Sequence, residues 1–294
     1  MTPSVKPFSP LIFFTLAAIL VVSWSSGFVG IRFANDQAPI SVILFWRNLI
    51  AGLGLLPLVI FRRPKITLTE FYQHVTIGFV GMFFYLASFA TAISYRVPTG
   101  LVALIADLVP LAIAALSQPL LNHRLTIKQW IGTSLGVGGV IVVSIDSISF
   151  GHAPLFAYVI PVAGMMLFAT MTVLQKRMRA IATSIDQSLT IQCLTASLCF
   201  APWAASEGSF IPVDTGHFFF GIAWLVILAT YVCYSVYYIL LRHYPPARIS
   251  SIVFLSPPMT MLWAWALFDE SLSPTMLIGT LITLLGVILA FARR

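Results

Sequence analysis

Charge is scarce in this 294-residue chain: Asp, Glu, Lys and Arg together make up 9% of it. Soluble domains carry about a quarter charged residues. A soluble surface built from this composition would be greasy and would aggregate, so lipid is the solvent that fits. Cysteine is scarce too. Cys193, Cys199 and Cys233 sit in apolar runs without metal-ligand spacing, which excludes a disulfide framework and a zinc site and leaves them as small hydrophobes. No glycine-rich phosphate loop with lysine occurs, so ATP is not expected to drive the function. No HExxH or Cys/His cluster appears either, and the expectation is a protein without cofactor or metal and without enzymatic chemistry. The first apolar run, 11–31, is too long for the roughly 7–15-residue core of a signal peptide and reads as a first span.

What the chain has in quantity is hydrophobic length. Hydrophobic residues are 59% and the mean hydropathy is +0.98. A bilayer core about 30 Å thick takes about 20 helical residues. Ten segments meet that length: 11–33, 39–61, 71–94, 98–121, 127–145, 153–175, 186–206, 217–241, 246–268 and 273–292. A spanning strand needs only about 10 residues and alternates polar with apolar; these runs do neither. The expected fold is all-α, integral to the membrane. With both termini placed in the cytoplasm, thirteen of the sixteen Lys and Arg fall inside, and only Arg32 and Arg96 fall outside. This is a strong positive-inside bias, and it points to a bacterial-type inner membrane. The net charge of +7 is therefore a topology signal, not a nucleic-acid surface. The five histidines, His74 among them, fall near predicted span ends and read as interfacial or loop residues.

The two halves align without gaps at an offset of 147 residues. Pro98 pairs with Pro245, Pro110 with Pro257, Leu125 with Leu272, Gly132 with Gly279, and Gly139-Val140 with Gly286-Val287. Residues 1–147 and 148–294 are thus read as two five-span repeats. Five is odd, so the second copy enters the membrane from the opposite side. Inverted repeats of this kind enclose a central cavity and place a substrate site near the midplane.

Two charges lie deep inside spans. Arg47 is eight residues into span two, about 12 Å at the helical rise, and Asp107 is nine residues into span four, about 13.5 Å. Such charges cost about 2.5–3.5 kcal/mol each on insertion scales and normally face protein or water. They are the leading candidates to hold the carboxylate and the ammonium of a zwitterion, singly or as a pair. A structural role, such as Arg47 bonding helix carbonyls, stays open. Asp107 is also the candidate for proton coupling, which pairing with Arg47 would oppose. Around them, Trp24 and Phe28 in span one, Trp46 in span two, Tyr85 and Phe89 in span three, and Tyr231, Tyr234 and Tyr238 on one face of span eight could form an aromatic wall. Met166 and Thr170 in span six and Gln192 in span seven complete the candidate set, with ordinary helix packing as the alternative for each. Pro110 and Pro257, both mid-span, are expected to bend spans four and nine. Glycines seven apart make spans five and ten packing elements, with a homo-oligomeric contact open as an alternative to a monomer.

Trp24-Ser25-Ser26-Gly27-Phe28, Arg47-Asn48-Leu49-Ile50-Ala51 with Leu55-Leu56-Pro57, and Asp269-Glu270-Ser271-Leu272 followed by Gly279 and Gly286 resemble the drug/metabolite transporter superfamily, and within it the ten-span EamA-type exporters. His123 stands where the first-half counterpart of Glu270 would carry the family's usual acid. The resemblance implies secondary transport or export of a small metabolite, and among relatives it is most like aromatic amino-acid exporters. Another small metabolite or a drug as cargo, a channel, and an intramembrane enzyme are the alternatives. Partners are then a small-molecule substrate and the bilayer.

Overall fold

The computed structural model describes residues 8–62, 66–109, 111–113, 115–116, 126–150, 153–175, 184–208, 210–211, 215–243, 252–253 and 255–291. These residues form helices and no strand. They are α1 (Pro10–Asn35), α2 (Ile40–Arg62), α3 (Leu68–Ile77, a π-helical segment Gly78–Phe84, then Tyr85–Ser94) and α4 (Thr99–Ala106, running on to Ile113). There follow α5 (Ile127–Phe150), α6 (Leu155–Gln175), α7 (Ile185–Ser206) and α8 (Thr215–Val226, a second π-helical segment Ile227–Val232, then Cys233–His243). α9 (Ser256–Phe268) and α10 (Pro274–Phe291) close the chain. Ten helical segments thus match the ten apolar runs. By length and apolarity five of them qualify outright as membrane spans: α1, α2, α3, α7 and α8.

The 147-residue repeat is visible in individual hydrogen bonds. The Leu108 N–H bonds the Ile105 carbonyl at 3.1 Å, and the Leu255 N–H bonds the Ile252 carbonyl at 3.0 Å. Helix restarts when Ala112 bonds Leu108 (2.9 Å) and when Met259 bonds Leu255 (3.3 Å). Each pair is repeat-equivalent, so α4 and α9 break and resume at corresponding points. The Thr126 hydroxyl caps the Gln129 N–H at 3.3 Å, and its counterpart Ser273 caps the Met276 N–H at 3.1 Å. These breaks correct one expectation. Pro257 does not bend a continuous helix but lies in the first turn of α9. Proline has no N–H for the carbonyl four residues back, and the first turn is where that donor is not needed. Pro110 lies outside the described residues.

The halves pack against each other helix by helix, in antiparallel pairs and in one parallel pair, α3 with α7, where His74 meets Ser188, Gly78 meets Gln192 and Phe83 meets Phe200. Between α5 and α10, Gly139 lies against the Gly279 carbonyl and Thr283, while Gly286 lies against Gly136 and the Gly132 carbonyl. The two contacts are mirror copies under the repeat. The Thr283 hydroxyl donates to the Gly136 carbonyl at 3.3 Å, and these residues are themselves 147 apart. A pseudo-two-fold axis therefore passes through this contact. Between α2 and α7, Arg62 pairs with Asp186 (3.2 Å) at one end, Gly52 meets Leu194 midway, and Ser41 bonds Glu207 at the other end. α3 runs against α6 through Tyr85–Phe168 (4.7 Å) and Tyr95–Phe156 (5.0 Å). Its repeat counterpart is α8 against α1, where Gly30 meets Leu225 and the Trp224 indole donates to the Ser26 carbonyl at 3.1 Å.

One end of the bundle is acidic and tightly bonded. Asp36 accepts from Arg32 (2.7 Å) and Arg96 (3.0 Å), and the Arg32 guanidinium stacks 4.9 Å from the Phe268 ring. Glu270 takes the N-terminus of α4, accepting from the Thr99 N–H (3.0 Å) and hydroxyl (2.7 Å). Arg96 and Asp269, beside these contacts, hold positive φ of 66° and 53°, a backbone region that side chains disfavour unless surroundings fix it. The opposite, basic end carries Arg62 and Lys128.

The α5–α10 contact generates a test. Gly139→Leu would place a side chain into the backbone of α10, and overpacking of this kind costs about 1–3 kcal/mol. Thermal unfolding in detergent should show a clear drop in Tm. Gly138→Ala, one residue away and facing open space, should leave Tm unchanged or raised.

Candidate substrate-binding site

Arg47 projects from the middle of α2 and is 8% exposed; Asp107 sits at the break in α4 and is 7% exposed. They do not pair: among the described residues no carboxylate lies within 4.0 Å of Arg47. Asp107 Oδ2 is buried with no hydrogen-bond partner. Tyr85 is within electrostatic reach of both Asp107 and Arg47. Tyr234, Cys193 and Cys233 are the other titratable side chains around the guanidinium.

Aromatic rings extend from this polar centre. Tyr85 packs on Phe89 (4.5 Å between ring centres) and on Phe168 (4.7 Å), and Phe89 meets Phe28 edge-on at 6.4 Å. Phe28 and Phe89 are both buried. α1, α2, α3, α4, α6 and α8 thus all contribute to one cluster holding a cation, an anion and an aromatic wall. An ammonium or a carboxylate of matching reach could bond here without displacing an existing ion pair.

Two π-helical segments aim the tyrosines. Gly78–Phe84 ends where Tyr85 begins, and Ile227–Val232 ends just before Cys233 and Tyr234. π-turns are rare and frequently mark functional sites. The first is accommodated by Gly78, whose missing side chain lets the helix rest on the Gln192 backbone of α7. In the second, the Thr230 hydroxyl reaches back five residues to the Leu225 carbonyl at 3.0 Å. Both segments lie in the third helix of their half, another repeat-related pair. Nothing in apolar periodicity signals a π-turn. Phe168 and the Cys193/Cys233 flank of Arg47 likewise carried no sequence signal beyond their apolar setting.

Other candidates are placed elsewhere. Trp46 turns toward the acidic end, where its indole N–H donates to the Phe210 carbonyl at 2.8 Å. Met166 is 39% exposed on the outer side of α6, and its neighbour Met165 is the buried one. The Thr170 hydroxyl is spent on the Met166 carbonyl (2.8 Å). The Gln192 amide meets His74, at 3.3 Å from Nδ1, while Ser188 lies 3.4 Å from Nε2. His74 is therefore buried and bonded, seven residues into α3 and beside the first turn of α7. Tyr231 donates to the Ala51 carbonyl of α2 at 3.0 Å and is a strut between helices. Trp24 is half-buried against Tyr237, 5.8 Å between ring centres. The side chain of Tyr238 lies outside the described residues.

Two copies of the EamA-like transporter family model match the chain, over residues 11–145 and 155–292. The chain belongs to the EamA-like transporter family. It is a multi-pass membrane transporter and not an enzyme. Among curated EamA-family relatives it resembles the "Probable amino-acid metabolite efflux pump" of Escherichia coli (strain K12), 24% identical over 92% of each chain. The Salmonella typhimurium protein of the same name is 25% identical over 92% of each. The "Uncharacterized inner membrane transporter YedA" of Escherichia coli (strain K12) is 22% identical over 86% of this chain and 82% of that one. A solved crystal structure covering 96% of this chain and 97% of its own superposes with a TM-score of 0.66 at 16% identity, a likeness of fold.

Within this EamA-family chain the tyrosines are expected to separate by role. Tyr231→Phe removes an interhelical hydrogen bond and should lower stability by about 1 kcal/mol, with transport retained. Tyr85→Phe should do the reverse, reducing transport in vesicles while the unfolding temperature stays near that of the parent protein.

Proposed function

We propose that the chain exports a small zwitterionic metabolite, an amino acid with an aromatic or otherwise amphiphilic side chain, by alternating access of its two repeats, residues 1–147 and 148–294. The single observation that carries this reading is the pair of buried, opposite, unpaired charges around Tyr85. A charge within the bilayer is costly, and one left without a partner is tolerated where a ligand or water meets it. Arg47 would take the substrate carboxylate, Asp107 the ammonium, and the Tyr85–Phe89–Phe168 rings the apolar side chain, in a cavity between the repeats. The names of the Escherichia coli and Salmonella relatives support an amino-acid cargo and an outward direction.

The basic end would face the cytoplasm of a bacterial-type inner membrane, as the cation distribution favours and the YedA name supports. The acidic end, bonded through Asp36 and Glu270, would then be the closed outer gate of this state. The Asp107 carboxylate would hold either the ammonium or a proton, and that mutual exclusion would couple transport to the proton gradient.

Counterflow in proteoliposomes tests the reading. Arg47→Gln and Asp107→Asn should each reduce exchange of a zwitterionic amino acid about tenfold or more, the weight of a lost charge-assisted hydrogen bond. Size-exclusion profiles should remain those of folded protein. Asp107→Asn should spare analogues that lack the amine, and Arg47→Gln those that lack the carboxylate. Undiminished exchange by both variants would overturn the assignment.

A further inference from the structure

The outer face of the α5–α10 pair carries a feature that neither helix packing nor substrate handling uses. A groove of about 410 Å³ runs along it, lined by Trp130, Ile131, Ser134, Leu135, Gly138 and Ile282. Its floor is Gly138. The other glycines of this contact, Gly136, Gly139, Gly279 and Gly286, each press on a neighbouring helix, whereas a Cβ at Gly138 would meet nothing within 4 Å. Its backbone is ordinary helix. Glycine is a poor helix former compared with alanine, so the protein keeps a small residue there without using the space itself.

The chemistry at the groove's end says what could use it. Lys128 is exposed in the first turn of α5, one turn from Ile131, and Trp130 is 48% exposed beside it. Trp at the headgroup level and a lysine near the surface are the residue types that meet a phospholipid where its chains join its phosphate. The α5 N-terminus adds the positive end of its dipole at the same place.

We propose that this groove seats one acyl chain of an anionic phospholipid, with the phosphate held at Lys128 and the chain laid over Gly138 toward Ile282. The site is independent of the substrate reading, since none of its residues belongs to the Arg47–Tyr85–Asp107 cluster. Its place on the two helices that the pseudo-two-fold axis crosses means that the lipid would brace the joint between the repeats.

Native mass spectrometry of the purified full-length chain, incubated separately with phosphatidylglycerol and phosphatidylcholine, tests it. Phosphatidylglycerol adducts should survive about fivefold better than phosphatidylcholine adducts, the weight of one lysine against an anionic headgroup. Lys128→Gln should erase that preference. Gly138→Leu should remove the adduct itself without lowering Tm, because its side chain fills open space. Ser134→Leu, filling the groove from its exposed side, should repeat the loss and stands in if the first variant folds poorly. Equal retention of the two lipids would overturn the proposal. So would adducts that persist in both filled variants, or a dimer that either variant breaks, which would give the groove to a second copy.

Discussion

In lipid no water is available to a bare N–H or carbonyl, so a chain crossing the bilayer must bond its own backbone nearly everywhere. That constraint makes all ten segments of this chain helical, and it makes departures from regular helix informative. There are four among the described residues: the breaks at Asp107–Leu108 and Leu255, and the π-segments at Gly78–Phe84 and Ile227–Val232. They come as two repeat-related pairs. Three of the four also border the polar cluster, for Asp107 caps the first break, Tyr85 directly follows the first π-segment, and Tyr234 comes two residues after the second. Irregular backbone at depth is tolerated where it is enclosed by protein or lines a cavity. Its concentration around Arg47 is independent of the argument from charge.

The scaffold is symmetric and the chemistry is not. At the 147-residue offset, Arg47 corresponds to Leu194 and Asp107 to Phe254. Both charges therefore belong to the first repeat, and the second supplies apolar counterparts. This division has a physical sense. Two copies of each charge near one midplane would place like charges close together in a medium that screens poorly. One copy of each would offer the proposed substrate a single dipolar site, and the symmetric helices around it would be free to trade conformations about it.

Much of the architecture was legible because hydropathy and charge are sampled over long windows. The ten runs, the inverted repeat and the packing role of the glycines on α5 and α10 rest on many residues each, and single errors average out. The aim of a side chain rests on one residue and on helix rotation. Tyr231, Tyr234 and Tyr238 share a face only if the helix is regular. The π-segment that ends at Val232 rotates the later turns of α8 relative to the earlier ones, so Tyr231 bonds the α2 backbone while Tyr234 lies near Arg47. Met165 and Met166 differ by a single step, and periodicity could not choose between them. Trp46 adjoins Arg47 in sequence, yet consecutive residues on a helix point about 100° apart, and Trp46 goes to the loop. Pro257 misled for another reason: a proline inside an apolar run can bend one helix or begin the next, and hydropathy is blind to the difference.

The same asymmetry reaches the ends of the bundle. At the acidic end the Glu270 carboxylate takes both the N–H and the hydroxyl of Thr99, tying the hairpin of α9 and α10 to the start of α4. Under the repeat, Thr99 becomes Pro246 and Glu270 becomes His123. Proline has neither an N–H nor a hydroxyl to give, and a histidine is a poor substitute for a bidentate acceptor. The basic end therefore cannot copy this latch. In the proposed alternating-access cycle the two ends would exchange, and the different bonds at each end would separate the two states in free energy. The state with the acidic end shut would hold a charge-assisted contact with no counterpart at the other end. A bias between the two states would then arise from one threonine, one glutamate and their unmatched counterparts.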